Sequence, residues 1–415
     1  MKNPATKVIF FVLVCFFFTV SALAQITITE PGFRAVVLNS DLSNPQDITI
    51  FYPGGVYGAN LFVTEYGTDT VSKINPAGNK LVLSTEVKYP VAILFGHGAF
   101  GNHLYVSESY STDGNIVRVA PTGVKTTFAS GIDSPLDMVW GPGGAFGSDL
   151  YVASANANKI VTVSAAGAVS DFLSNLDRPS VLAFSPGGAF GEYLYVTNTD
   201  DGQVVRIDAN KNIDVFVTDL PRPIGLAFGH NTPFGDFLYI SDKNTGEILK
   251  ISPSGAVSTF ASGKISPSGA VSTFASGFDG PVEIHFSEGG LYGNDMLVAD
   301  GGSGRIVRIN SLGAPTIIIT PFPGGVEQGP FALGFTVSDP QGLSNLTDFH
   351  FLYNGIDITA SIVNYLVAYI VSIDENSVEF SVGGITLPSG THTIEIVASD
   401  AEGHTGHGKV TYSIQ

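Results

Sequence analysis

A glycine-rich phrase recurs along the chain as "YPGGVYGANLFV", "GHGAFGNHLYV", "GPGGAFGSDLYV", "SPGGAFGEYLYV", "GHNTPFGDFLYI" and "SEGGLYGNDMLV". The apolar triplet that ends each phrase begins at Leu61, Leu104, Leu150, Leu194, Leu238 and Met296, in steps of 43, 46, 44, 44 and 58 residues. A near-constant period of this length constrains the fold more than any other feature, because each repeat is one supersecondary unit that buries its apolar face only by stacking on the next. The long step has a visible cause: "KISPSGAVSTFASG" at Lys250 to Gly263 is repeated without change at Lys264 to Gly277, and removing fourteen residues restores a step of 44. The duplication is therefore an insertion into one unit. Either copy of "AVSTFAS" is suited to pair as the outer strand, and the other then loops out or adds an extra edge strand.

Within one unit, "SPLDMVWG", "DLYVAS", "KIVTVS" and "AVSDFLS" are short runs rich in β-branched and aromatic residues, separated by turn residues. Four such strands per unit is the pattern of a propeller blade, so the expected fold is all-β, with six blades between about Ile26 and Gly313. The last unit lacks a fourth strand, whereas "GFRAVVLNS" (Gly32 to Ser40) is an orphan near the start. Pairing that strand beside Ile306 to Ile309 closes the ring and removes its open edge. After Gly313 the period stops. Alternation at Phe331, Leu333, Phe335 and Val337 and at Ile394, Ile396 and Ala398, with an Asn354-Gly355 hairpin signal between, predicts a separate β-sandwich over residues 314–415.

Lys2 and Lys7, an apolar run from Val8 to Val20 and the small-residue Ala22-Leu23-Ala24 have the order of a secretory leader over residues 1–24, so export to the periplasm or the exterior is expected. Cys15, the only cysteine, falls within it, which leaves no thiol chemistry to the rest of the chain. Net charge is −18, and removing the two leader lysines leaves 17 basic against 37 acidic residues. Such a surface repels phosphate backbones and anionic lipid, which argues against nucleic acid and membrane insertion. No feature calls for a second copy, and a monomer is expected.

Prolines 45, 90, 135, 179, 223 and 281 mark the starts of the innermost strands. Two residues beyond them stand Asp47, Ala92, Asp137, Val181, Gly225 and Glu283, and the second strands end on Glu65, Glu108, Ser154, Asn198, Asp242 and Asp300. Antiparallel neighbours bring both sets to one face. At the ring seam Asp47, Glu65, Glu283 and Asp300 form a candidate Ca²⁺ site, and Glu108, Asp137, Asn198 and Asp242 a candidate ligand face; solvated or turn-forming acids are the alternative for all of them. Asp339 and Asp400, in "SDPQG" and "SDAEG", are a second candidate Ca²⁺ pair. The aromatics four residues before each triplet, Tyr57, Phe100, Phe146, Phe190, Phe234 and Tyr292, read as packing that every blade needs, and Lys73, Arg118, Arg206, Lys250 and Arg308 as a solvated outer stripe.

The phrases "RPIGLAFG…FLYISDKNTGEILKISPSG" and "RPSVLAFSPGGAFGEYLYVTNTDDGQVVRIDANKN" resemble the NHL-repeat and gluconolactonase-like propellers, and "LPSGTHTIEIVASDAEGH" resembles bacterial immunoglobulin-like domains. The gluconolactonase resemblance implies a central divalent metal held by Asn or Asp directly after the inner-strand proline. This chain has Gln46, Val91, Leu136, Ser180, Ile224 and Val282 there, which departs from that pattern. Two functions stay open. One is a secreted, non-catalytic binding or scaffold protein that offers a propeller face to a protein or glycan partner. The other is a metal-dependent, lactonase-like hydrolase or lyase with Ca²⁺ on the acidic face.

Overall fold

The computed structural model describes residues 25–414 apart from 31, 51–56, 58–59, 76–77, 111, 254–270, 288–293, 312–315, 321–330, 339–345, 360–369, 374–376, 386–389 and 401–404. The proposed leader lies outside the described residues. Among those described, no helix is long and apolar enough to cross a membrane.

The chain is nearly all β and carries a β-propeller built of antiparallel sheets in which strands pair in chain order. The third sheet is typical: Pro135–Trp140, Leu150–Ser154, Lys159–Val163 and Val169–Ser174. The first strands, Pro45–Ile50, Pro90–Phe95, Pro135–Trp140, Pro179–Phe184, Pro223–Phe228 and Pro281–Phe286, pack each against the next, and the last returns to the first. These strands surround a central channel. The cores lie between neighbouring sheets: Tyr195 and Phe216 pack against Leu226 and Leu238, for example, and at the seam Ile48 and Leu61 pack against Leu297 and Ile306.

Phe33–Asn39 pairs with Arg305–Ser311, with Ala35 opposite Ile309 and Asn39 opposite Ile306. Closure by the orphan strand is therefore seen directly. Further upstream, Thr27–Ile28 pairs with Ser276 and Ala275 on the outer edge of the neighbouring sheet, so that sheet has five strands. Its outer strand, Val271–Ser276, comes from the second copy of the duplicated segment, and residues 254–263 of the first copy lie outside the described residues. The extra edge comes from the N-terminal segment.

The glycine-turn aromatics Tyr57, Phe100, Phe190 and Phe234 are buried, and Phe146 is half-buried. Tyr105, Tyr151, Tyr195 and Tyr239 donate their hydroxyls to the carbonyls of Phe100, Phe146, Phe190 and Phe234, which ties each turn to its own second strand. Tyr292 lies outside the described residues. The third-strand cations differ from a solvated stripe: Arg118 lies 4.3 Å over the Phe128 ring, Arg206 pairs with Asp214, Lys250 with Glu30 and Arg308 with Asp295. Long cationic stems cover apolar outer-strand surface while their heads find carboxylates.

Beyond residue 315, Thr316–Thr320, Phe331–Ser338, Ser377–Ile385 and Ile370–Ile373 belong to one antiparallel sheet, and Ile356–Asp357, Leu346–Tyr353, Gly390–Asp400 and Thr405–Ile414 to another. Phe335 and Val337 of the first meet Phe351, Ile394, Ile396 and Ala398 of the second in one core. Asn354 (φ 49°) and Gly355 (φ 76°) both adopt the left-handed conformation that a two-residue hairpin of this type needs.

Candidate functional site at the channel mouth

The acids expected on one face separate into two groups with different surroundings. Those that end the second strands are fastened to loops. Glu65 accepts the backbone N–H of Ser43 at 2.8 Å, Glu108 that of Lys88 at 2.9 Å, Asn198 that of Asp177 at 2.6 Å and Asp300 that of Asp279 at 2.8 Å. Each donor lies two residues before an inner-strand proline. In the fifth sheet that position is Pro221, which has no N–H, and Asp242 instead accepts from Arg222 at 2.9 Å. In the third, Ser154 reverses the polarity and donates to the Asp133 carbonyl at 2.8 Å. The remaining oxygens are also engaged: Glu65 by Ser72 and Lys80, Glu108 by Asn115 and Lys125, Asp300 by Ser303 and Arg305.

The four acids expected to share a Ca²⁺ site at the seam therefore stand in two different surroundings. Glu65 and Asp300 are spent on loop fastening, and neither lines the channel mouth with Asp47 and Glu283. Glu108, Asn198 and Asp242 of the candidate ligand face are engaged in the same way. Asp339 lies outside the described residues, and Asp400 is the last residue of its strand, opposite Leu346.

Asp47, Asp137 and Glu283 form the second group. They line one small cavity at the mouth, of about 110 Å³, with Gln46, Val91, Leu136, Ser180, Ile224 and Val282 around them. Asp47 Oδ1 and Oδ2 accept the N–H groups of Ile48 and Ile93 at 2.5 and 2.6 Å, stitching the first sheet to the second. Asp137 Oδ2 accepts the N–H of Leu182 at 2.7 Å, joining the third to the fourth. Among the described residues none of the three forms an ion pair. Burial raises all three carboxyls: Asp47 and Glu283 stand well above the usual carboxylate range, Asp47 further raised by the charge of Asp137 and Glu283 by the charges of Asp47 and Asp137. Asp137 is pushed up to about 7 by burial, against the backbone bonds from Leu182 and Met138. The same position in the fifth sheet is Gly225, where an added Cβ would stand 2.1 Å from the Val282 carbonyl, so no carboxylate fits there.

Sequence reasoning did not anticipate Arg178, Arg222 and Lys243, which line the same cavity. The residue before the inner-strand proline adopts positive φ in five of the six sheets, at Asn44, Tyr89, Ser134, Arg178 and Gly280, but not at Arg222. Asn and Gly suit that conformation, whereas Tyr89 (φ 46°) and Arg178 (φ 54°) are bulky residues held in it. At the other end of the channel a larger cavity, of about 560 Å³, is lined by Phe184, Phe228, Phe286, His230 and His285, and burial lowers His285 to about 4.

A divalent metal does not fit the mouth. Among the described residues no three His, Cys, Asp or Glu side chains come together to hold one. Of the six positions directly after the prolines that line the cavity, Val91, Leu136, Ile224 and Val282 offer no donor, and only Gln46 and Ser180 carry a side-chain oxygen.

No family model matches the chain, and no curated protein matches it. Solved structures do. A gluconolactonase from Xanthomonas campestris aligns with a TM-score of 0.53 at 12% identity, over 69% of this chain and 94% of that one. Regucalcin, a calcium-binding protein from Agrobacterium tumefaciens, aligns at 0.50 and 14%, over 67% and 94%. An auxiliary nutrient binding protein from Bacteroides ovatus aligns at 0.50 and 11%, over 68% and 77%. Identities this low establish a shared propeller fold and nothing about activity.

Proposed function

We propose that the chain is an exported six-bladed propeller followed by an immunoglobulin-like sandwich, and that the propeller mouth is an acid–base site of a hydrolase or lyase acting on a small polar substrate. The observation that carries this reading is the meeting of Asp47, Asp137 and Glu283 in one cavity with raised pKa values and no ion-pair partner among the described residues. A carboxyl that titrates near 7 is populated in both forms at neutral pH, which suits it to give a proton to a leaving group or take one from a substrate. Asp47 is held in place by two backbone N–H groups. Asp137 and Glu283 are then the pair that exchanges the proton, since ionisation of one makes ionisation of the other harder. No step passes through a metal.

Turnover of lactones, esters and glycosides by the mature protein tests this, with Asp137→Asn and Glu283→Gln as controls. Activity that survives in the double variant rejects the assignment, and so does a ¹³C carboxyl titration that places Asp137 near the ordinary value. A second reading draws on the fold shared with the nutrient binding protein: the mouth holds a ligand without turnover, and the sandwich or a propeller face engages a protein or glycan. It requires saturable binding with the ligand recovered unchanged.

A further inference from the structure

We propose that Arg178, Arg222 and Lys243 form an anion-recognition arc over the carboxyl trio, so that the ligand of this mouth is a small molecule with an anionic head group. This deepens the acid–base reading and rests on the mouth being the working site. Three observations support it. First, the three cations come from different loops yet line one cavity of about 110 Å³. In a chain with 19 Lys and Arg against 37 Asp and Glu, three cations gathered at one point and not ion-paired to the carboxyls of the same cavity are unexpected on charge grounds. Their neighbours do not neutralise them: Arg178 reaches only Asp200, at 4.0 Å, and Arg222 and Lys243 have no ion pair among the described residues. Burial and the charges of Arg222 and Arg178 together push the Lys243 ammonium down, a mutual repulsion that an anion would relieve.

Second, Arg178 is placed at a cost. Its φ of 54° belongs to a position that holds Asn44, Ser134 and Gly280 in other sheets, with Tyr89 the one other bulky residue held there. A long side chain kept where Asn or Gly is easier points to work done by that side chain. Third, the carboxyl trio lies below the arc without cations of its own. A head group bound by guanidinium forks leaves the rest of the molecule facing Asp137 and Glu283, the two groups assigned to proton exchange.

The test is isothermal titration of the mature full-length protein at low ionic strength with acetate, malonate, inorganic phosphate and sulfate, and with acetamide and glycerol as neutral comparators. Saturable one-to-one binding of at least one anion and none of the neutral compounds is expected. Arg178→Asn and Arg222→Gln should each weaken it about tenfold or more, as expected for losing a charge-assisted hydrogen bond. The anion that binds tightest identifies the head group as carboxylate, phosphate or sulfate. Arg178→Asn should also raise the melting temperature while it weakens binding, because Asn tolerates the left-handed backbone. Absence of anion binding, equal binding of acetamide, or unchanged affinity in both variants overturns the proposal. Carboxyl titration of the same samples keeps the two readings apart: a high Asp137 pKa without anion binding removes the arc alone, and an ordinary Asp137 pKa removes the acid–base reading alone.

Discussion

Replacing Asp137 by Asn should stabilise the propeller, and only above a definite pH. Asp137 is 7% exposed and its carboxyl titrates at about 7, against 3.8 for the ordinary group. The folded protein therefore keeps a proton that the unfolded chain releases. Stability falls as pH rises from about 4 through 7, by an upper limit of about 4 kcal/mol at about 1.4 kcal/mol per unit. Because the charge is shared with Asp47 and Glu283, about 2 kcal/mol is the more realistic figure. Asn is nearly isosteric, keeps an oxygen for the Leu182 N–H and does not ionise. At about pH 3 to 4 wild type and variant should unfold at similar denaturant concentrations, and at about pH 9 the variant should resist longer. Trp140, the only tryptophan, ends the inner strand that carries Asp137 and donates to the Phe95 carbonyl at 2.8 Å, so its fluorescence reports the propeller transition separately from the sandwich. Equal wild-type and variant midpoints at pH 9, or the same offset at every pH, would refute the argument.

Removing one fastening acid, as in Glu108→Ala, leaves the Lys88 N–H and Lys125 without their partner and should cost about 1–3 kcal/mol without changing anion affinity, measured by denaturation and titration together. Gly225→Ala sets a Cβ 2.1 Å from the Val282 carbonyl and should lower the melting temperature sharply or prevent folding. Deleting Lys264 to Gly277 leaves an identical copy to form the outer strand. It shortens the connection after Ile251 from nineteen residues to five, the length between Val163 and Val169, and should stabilise by about 1 kcal/mol in equilibrium unfolding. His285, held to about 4 against 6.5, makes folding less favourable as pH falls through that window, so His285→Gln should flatten acid unfolding between pH 6 and 4.

The ring was legible because its signal is periodic. Six triplets, the turn aromatics and the orphan strand each state a requirement that every sheet shares. The site was only partly legible, for a physical reason that the same periodicity contains. Glu65, Glu108, Asn198, Asp242 and Asp300 recur at one position because each sheet needs its loop fastened, and repetition is the mark of a structural role. Asp47, Asp137 and Glu283 stand where Ala92, Val181 and Gly225 break the pattern, and the break is what marks a site. Arg178 and Arg222 were hidden because a residue before proline reads as turn chemistry. Only the shared cavity, and for Arg178 the positive φ, shows their placement as unusual.

The N-terminal segment clasps two neighbouring sheets, Thr27–Ile28 on one and Phe33–Asn39 on the next, and both partners lie more than two hundred residues downstream. During synthesis Thr27–Ile28 must wait, unpaired, until Ser276 has been made, and Phe33–Asn39 until Ser311. Contacts of such sequence separation are slow to form. A chain cut short anywhere before residue 311 is thus left with an open ring and a sticky leading strand, a species prone to capture another copy or be degraded. Completion of the last strand is in effect the quality check on the whole propeller, since no earlier event seals the circle.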